Sequence, residues 1–429
     1  MYISKISLRH IKSIQQLELD LPPTAGWHVL LGDNGTGKST ILQAISLSLI
    51  GVPDLYLLRE NWNHWLKKGQ NLGYIQAEVE TQNEYDWGRS GRVGQDQKIS
   101  TELVFVNTKS RKNPEEDRVV FKYKAEPAGY LEEDFVGWFS AAYGAFRRFQ
   151  SGEDRQYQEI AAAAQSDRLL AHVTLFKAEV TLRQGVSWLQ ELDYLASKGQ
   201  EGSIKLDTII QFINTSQLLP AEWTIKEIGP QGIDLQNPAG LVLSIQELSD
   251  GYLSMLSLVL ELIRQLVSSY AIRFQFQTTE SGQLYIDLSG VILIDEVDVH
   301  LHPSWQVQIG EWFTRYFPNI QFIVSTHSPL ICQSATSGSI WKIERPDSGQ
   351  ASGRVTEAEY NRLVYGNVLE ALGTELFGQQ IARSSDSADR LDRLATLNMK
   401  KSLGQLSPAE EEELAILRRN HTTDDTFEL

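Results

Sequence analysis

Gly32-Asp33-Asn34-Gly35-Thr36-Gly37-Lys38-Ser39-Thr40 is the stretch on which the reading of this chain turns. Its three glycines let the backbone curl until successive N–H groups point into one hollow, where a phosphate is cradled. Lys38 brings a cation to the β- and γ-phosphates of a nucleotide, and Ser39 offers a hydroxyl to Mg²⁺. The flanks suit such a loop. Trp27 to Leu31 is a short apolar run directly before Gly32, and Ile41, Leu42, Ile45 and Leu49 follow at helical spacing until Gly51 and Pro53 end the helix. That helix aims the positive end of its dipole at the same anion.

Working outward, three further segments carry chemistry. Val291-Ile292-Leu293-Ile294 reads as a buried strand that ends in Asp295 and Glu296. Beside a phosphate loop, such a pair supplies a carboxylate that holds Mg²⁺ through water and a base that orients and deprotonates the attacking water. Acids in these roles belong at the carboxyl end of a strand, where open α/β sheets bind ligands. Leu248-Ser249-Asp250-Gly251-Tyr252 opens a long apolar helix, about 249–270, and puts Ser249 and the Gly251 backbone at its N-terminus. Ser325-Thr326-His327-Ser328-Pro329 follows the apolar strand Phe322 to Val324, so His327 stands where it reaches a γ-phosphate and its water.

The remaining text gives the architecture. Leu17, Leu19 and Leu21 alternate with Glu18 and Asp20 in the two-residue period of a half-buried strand, and Pro22-Pro23 ends it. Residues 72–125 read as antiparallel strands laid beside the loop, 131–215 as mostly helical, and 223–245 as strands again. Short apolar strands interleaved with helices imply a largely parallel α/β core. From about 384 the chain turns polar and charged, with helical patches at Leu391, Leu394 and Leu397 and a capping-box start at Ser407-Pro408-Ala409-Glu410. No repeat and no sustained heptads occur.

Composition sets limits. The chain has 429 residues, 41% apolar and 22% charged, with a net charge of −16, so a purely electrostatic nucleic-acid binder is excluded and any such contact needs a local basic patch. The single cysteine, Cys332, excludes an intrachain disulfide and a zinc knuckle of paired thiolates. No uninterrupted apolar run reaches 18 residues, and Met1-Tyr2-Ile3-Ser4-Lys5 lacks a signal-peptide layout, so the expected place is the cytoplasm, off the membrane.

The four motifs in this order resemble an ATP-binding-cassette ATPase across roughly residues 1–345. Ile3 to Leu19, the loop G-D-N-G-T-G-K-S-T and D-E-V-D-V-H-L-H-P-S-W-Q look like the branch that holds RecF, the SMC heads and the overcoming-lysogenization-defect ATPases. The resemblance implies an α/β ATPase head with an antiparallel β subdomain, a mixed or parallel core sheet and a helical lobe. It also implies ATP and Mg²⁺ as cofactors and head-to-head dimerisation, with Ser249 and Gly251 of one subunit completing the other's ATP site and Asp298 in the dimer contact. The family's metal-facing glutamine is assigned to Gln150, after Tyr143-Gly144-Ala145-Phe146-Arg147-Arg148. The expected organisation is lobe I to about 150, a helical insertion to about 220, lobe II to about 345, and an extension over 346–429.

Departures narrow the branch. Only about 100 residues separate the lobes, without heptads or a Cys-x-x-Cys hook, which excludes SMC proteins and their zinc-hooked relatives. The tail lacks an acidic metal cluster of the kind a fused nuclease domain needs. Ala142 to Arg148, Leu175-Phe176 with Trp188-Leu189, and Val364-Tyr365-Gly366-Asn367-Val368-Leu369 look like the ATPase subunit of Septu-type and retron-linked antiphage defence systems, which is paired with a separate HNH endonuclease. The reading is an ATPase that gates such an effector, with DNA or another phage-derived trigger. The alternatives are a RecF-like repair loader and, less well matched, a transporter ATPase.

Other segments have plainer readings. His300 and His302 fit a helix start, Asn61 to Trp65 fits aromatic packing, and Cys332 fits a buried filler. Lys109, Arg111 and Lys112 fit a solvated turn, whereas Arg147-Arg148 stands evenly between a solvated end and a phosphate contact. Tyr365, Leu369, Leu372, Leu376 and Phe377 make an apolar stripe to be buried on the core or on a partner.

Overall fold

Alternation along the opening strands is answered by alternating burial. Leu17 and Leu19 lie inside and Glu18 and Asp20 outside on β2 (Ile14–Asp20), which pairs antiparallel with β1 (Tyr2–Ile11). The computed structural model describes residues 1–51, 55–58, 62–81, 87–88, 91–92, 98–108, 118–126, 139–145, 155–164, 166–200, 205–220, 222–229, 232–366, 385–402 and 405–420. The chain forms two units, Met1–Tyr365 and Gly366–Leu429.

In the first unit, β1 and β2 belong to an antiparallel sheet with β4 (Leu72–Glu80), β7 (Lys98–Thr108) and β8 (Arg118–Glu126), in the order β2-β1-β4-β7-β8. A short hairpin, β5 (Trp87–Gly88) with β6 (Gly91–Arg92), lies between β4 and β7 in the chain. A second sheet has six strands in the order β18-β17-β3-β16-β15-β9. These are β3 (Gly26–Leu31), β9 (Ser140–Tyr143), β15 (Gly290–Ile294), β16 (Ile320–Thr326), β17 (Gly338–Lys342) and β18 (Gly353–Arg354). All neighbours are parallel except β17 and β18. Helix α1 (Lys38–Ile50) touches strands of both sheets, and eleven of its thirteen residues are buried. That is why its apolar residues and small buried hydroxyls are spread round the helix rather than gathered in one stripe.

The short strand β9 departs from the helical reading of 131–215. Ser140-Ala141-Ala142-Tyr143 carries no two-residue period, because the strand is buried along its whole length and its place is set by pairing with β15, Val291 to Ser140 through Ile294 to Tyr143. Helices do follow it: α3 (Arg155–Ala163), α4 (Asp167–Leu170), α5 (Gln184–Ser197) and α6 (Leu206–Thr215), α2 being the turn at Leu55–Leu58. A three-stranded antiparallel sheet, β10 (Thr224–Gly229), β11 (Gly232–Gln236) and β12 (Val242–Ser244), packs with α5 and α6. The hairpin β13 (Phe276–Thr278) with β14 (Leu284–Ile286) has only three residues in each strand, too few to show a period.

Helix α7 (Asp250–Tyr270) is the one described helix long and apolar enough to cross a membrane, but 72% of its apolar window is packed inside the protein. Gly185 of α5 seats it: a methyl there would lie 2.6 Å from the Glu261 nitrogen. Helices α8 (Pro303–Tyr316), α9 (Pro329–Cys332) and α10 (Glu357–Tyr365) complete the unit. Trp27 of β3 stacks on Phe313 of α8 with ring centres 5.8 Å apart.

The second unit contains α11 (Ser385–Ser402) and α12 (Pro408–Asn420). Arg393 pairs with Glu413 at 2.7 Å and Lys400 with Glu410 at 2.5 Å. Ser407 and Glu410 exchange the reciprocal bonds of a capping box. Of the apolar stripe only Tyr365 is described, and it is exposed; Leu369, Leu372, Leu376 and Phe377 lie outside the described residues, as do Lys109, Arg111, Lys112, Arg147 and Arg148.

Candidate nucleotide-binding and hydrolytic site

Strand order decides what meets. With β3, β16 and β15 adjacent and parallel, their carboxyl ends bring the Gly32 loop, the His327 turn and the Asp295-Glu296 pair to one edge of the sheet.

The phosphate loop is made by its backbone. Gly35 and Gly37 hold φ of 81° and 100°, the left-handed region that costs glycine nothing. Gly32 is needed for close approach, because a methyl there would sit 2.5 Å from the Ile343 carbonyl oxygen. Thr36 donates its hydroxyl to the Asp33 carbonyl at 3.0 Å. Lys38 turns back over the loop and donates to the carbonyls of Gly32 and Asp33 at 2.6 and 2.8 Å. Burial pushes the Lys38 ammonium below the usual lysine range, and the charges of Asp295, Glu296, Asp298 and Asp33 work against that push. Asn34 and Asp33 are exposed, Ser39 is half-buried and Thr40 is buried. No side chain caps α1, so its first-turn N–H groups and the Lys38 ammonium form a donor set suited to a polyanion.

The acids are set by side-chain bonds. The Asp295 N–H extends the ladder to the Tyr143 carbonyl at 2.8 Å, and its carboxylate accepts from the Ser325 hydroxyl. That same Ser325 oxygen accepts from the Glu296 N–H at 2.8 Å. Glu296 has φ 45°, a strained setting for a residue with a side chain, and one that turns the chain sharply just after the strand. Asp298 is buried, accepts from the Thr326 hydroxyl, and lies 3.4 Å from His327 Nε2, whose side chain is half exposed. The Lys38 ammonium and Ser39 hydroxyl at the start of α1, with the buried Asp295 carboxylate just past β15, are the groups that a nucleotide with its Mg²⁺ would require.

Ser249 is the N-cap of α7 without capping through its side chain. A methyl on Gly251 would fall 2.5 Å from the His300 carbonyl oxygen, and His300 itself has φ 66°. Tyr252 meets Trp305 edge-on at 6.1 Å. The helix that carries Ser249 and Gly251 thus packs on the loop that follows the acids of its own chain. Gln150 lies outside the described residues.

Several partners at the site carry no motif role of their own. Tyr143 fixes the Asp295 N–H, Ser325 and Thr326 from within the fourth motif fix the acids through tertiary bonds, and Arg345 stands 3.6 Å from Asp33 at the mouth of the loop. The Ser-Thr pair before His327 was the only local sign. The plainer readings hold elsewhere. His302 caps α8 by accepting from the Ser304 N–H. Trp62 and Trp65 pack with Phe105. Cys332 is buried, and burial pushes its thiol up. Among the described residues no group of three acidic, histidine or cysteine side chains is arranged for a metal.

Two family models match the chain: "AAA domain" over residues 5–235, and "AAA domain, putative AbiEii toxin, Type IV TA system" over 138–333. The Septu protein PtuA of Bacillus mycoides (strain KBAB4) is 25% identical over 344 residues, 79% of this chain and 40% of that protein. This chain therefore spans about two fifths of that relative's length. The protein of Escherichia coli named "Retron Ec83 probable ATPase" is 25% identical over 406 residues, 80% of this chain and 71% of that one. Among solved structures, an SMC head bound to the C-terminal winged-helix domain of ScpA matches 83% of this chain and 97% of its own at 15% identity and a TM-score of 0.45.

Proposed function

The chain belongs to the AAA-domain family, whose model takes in residues 5–235, and from that premise we propose that it binds and hydrolyses Mg-ATP and thereby controls a partner nuclease in antiphage defence. The observation that carries the reading is the meeting of Lys38, Asp295, Glu296 and His327 at one sheet edge. The loop N–H groups and Lys38 bind the β- and γ-phosphates. Ser39 and Asp295 would hold a Mg²⁺, which would supply positive charge against that building on the phosphates. Glu296 takes the proton of the attacking water, and Ser325, bonded to its backbone, keeps it at the strand end. His327 donates to the γ-phosphate, with Asp298 behind its ring.

In this reading a second copy of the chain presents Ser249 and Gly251 to the ATP, and the loop at Asp298 lies in the contact between copies. Gln150 would join the residues holding the metal. The effector is an HNH-type endonuclease, and the trigger is DNA or another phage product. The names of the Septu and retron relatives support the defence setting.

The test is a mixing experiment. Lys38→Ala and Ser249→Arg proteins should each be inactive, and a mixture should regain ATP hydrolysis, because each mixed dimer keeps one intact loop facing one intact Ser249. No recovery, with mixed dimers shown to form, assigns Ser249 to its own chain. Co-expression with the neighbouring gene and pull-down of its product tests the effector.

A further inference from the structure

The loop after the acids and the turn that carries His327 are separate in sequence, yet one side chain bonds to both. Gln306 lies in the first turn of α8, where its own N–H donates to the His302 carbonyl at 3.1 Å. Its Nε2 donates to the Leu301 carbonyl at 3.0 Å and, at 3.5 Å, to that of Asp298. Its Oε1 accepts from the Ser328 hydroxyl at 2.7 Å. Ser328 is fixed in turn: its N–H donates to the Thr326 hydroxyl oxygen at 2.9 Å, and that hydroxyl donates to the Asp298 carboxylate. The circuit closes on Asp298 and His327, 3.4 Å apart. A primary amide suits this place because it gives a donor at one end and an acceptor at the other; a carboxylate or an ammonium offers only one of the two.

We propose that Gln306 is a positioning residue for ATP hydrolysis, holding the Asp298 loop and the His327 turn as one body. The role rests on the hydrolytic reading of Glu296 and His327 above. The loop's strained residue, His300 at φ 66°, lies between the Asp298 and Leu301 carbonyls that the Gln306 amide engages, and its own carbonyl oxygen faces Gly251. Motion of one segment must then carry the other, so a neighbouring copy that presses on Asp298 is felt at His327.

The test uses the full chain with Gln306→Met, which keeps bulk and removes every side-chain hydrogen bond, and with Ser328→Ala. Amide exchange in 297–301 and 326–332 should quicken together by roughly tenfold in Gln306→Met, about what one or two neutral hydrogen bonds are worth. Exchange in 32–40 should stay as it is. Ser328→Ala should loosen 326–332 and leave 297–301 protected. In steady-state hydrolysis Gln306→Met should lower kcat roughly tenfold at an unchanged KM. In Gln306→Met, loosening of one segment alone, or a kcat equal to that of the unaltered protein, overturns the proposal. Should Gln306→Met lose protection throughout, Gln306→Glu carries the same test, since it keeps the acceptor for Ser328 and must loosen 297–301. An unaltered protein that hydrolyses no ATP sinks the hydrolytic reading itself, an outcome distinct from equal kcat values in protein and variant.

Discussion

In the proposed reading the phosphate loop and the acid-histidine edge serve one nucleotide, yet they are built by different means. The first is nine consecutive residues whose shape comes from glycine torsions and whose lysine bonds to carbonyls of its own loop. The second is drawn from β9, β15 and β16 and held by hydroxyls, with Ser325 on Asp295 and Glu296 and Thr326 on Asp298. It also accepts left-handed backbone at Glu296 and His300, each costing on the order of 1–3 kcal/mol. Triphosphate is alike in every nucleotide, so a backbone cradle suffices to bind it. The proposed hydrolysis would use a base and a histidine whose places respond to neighbours, and that calls for side chains on separate strands.

The sharpest test of the difference is Glu296→Gln. It keeps the shape and loses the proton acceptor, so hydrolysis should fall by about 10²–10⁴ while ATP binding is kept. Rapid-quench turnover beside calorimetric titration reads both. Equal loss of binding would show that the two regions do not divide the work.

The next effect concerns the seam between them. His172 is buried and shares hydrogen bonds with Ser46 of α1 at 2.7 Å and Ser140 of β9 at 3.0 Å. Burial first, then the Arg168 charge, lowers its pKa to about 3, and burial lowers that of His28 to about 4, against an ordinary 6.5. As pH falls below 6.5 the unfolded chain takes up these protons and the folded chain does not, so stability is full above 6.5 and declines through 4 for His28 and 3 for His172. Between pH 6.5 and 5 each histidine should cost about 1.6 kcal/mol. Urea denaturation of His172→Gln should show that share of the acid slope removed; an unchanged slope would mean the seam takes up its proton in the folded state.

Third in size is Lys38→Ala. A hydrogen bond to a charged group is worth ~1.5–3 kcal/mol, so ATP affinity should drop roughly tenfold or more. Unchanged affinity by titration calorimetry would break the assignment of binding to the glycine loop.

How much was legible follows the same division. The loop, α1 and the ends of β15 and β16 were readable because each signal is local: glycine spacing, helical period, an apolar run ending in acids. Glu296 and His327 are read from their strand ends, and Asp298 from the family resemblance. Strand β9 was not, because four small or buried residues carry no period and only pairing with β15 makes them a strand. Gln306, Ser325 and Tyr143 matter through bonds to residues remote in sequence or around a turn, and no spacing rule announces such bonds.

The smallest effect compares one hydroxyl from each region. Ser325→Ala takes the acceptor from the Glu296 N–H and the donor from the Asp295 carboxylate. Thr36→Val removes a hydroxyl that donates to the Asp33 carbonyl at 3.0 Å while keeping the side chain's shape. A neutral hydrogen bond contributes about 0.5–1.5 kcal/mol, and one to a charged group about twice that. Ser325→Ala should therefore slow hydrolysis roughly five- to tenfold with ATP affinity nearly unchanged, because the left-handed turn at Glu296 loses what holds it. Thr36→Val should change affinity and rate by less than about threefold, because the glycines at 35 and 37 keep the loop's curl without it. If the two variants cost the same, the phosphate loop depends on side-chain bonds as the acid edge does, and the division of labour between backbone and side chain is wrong.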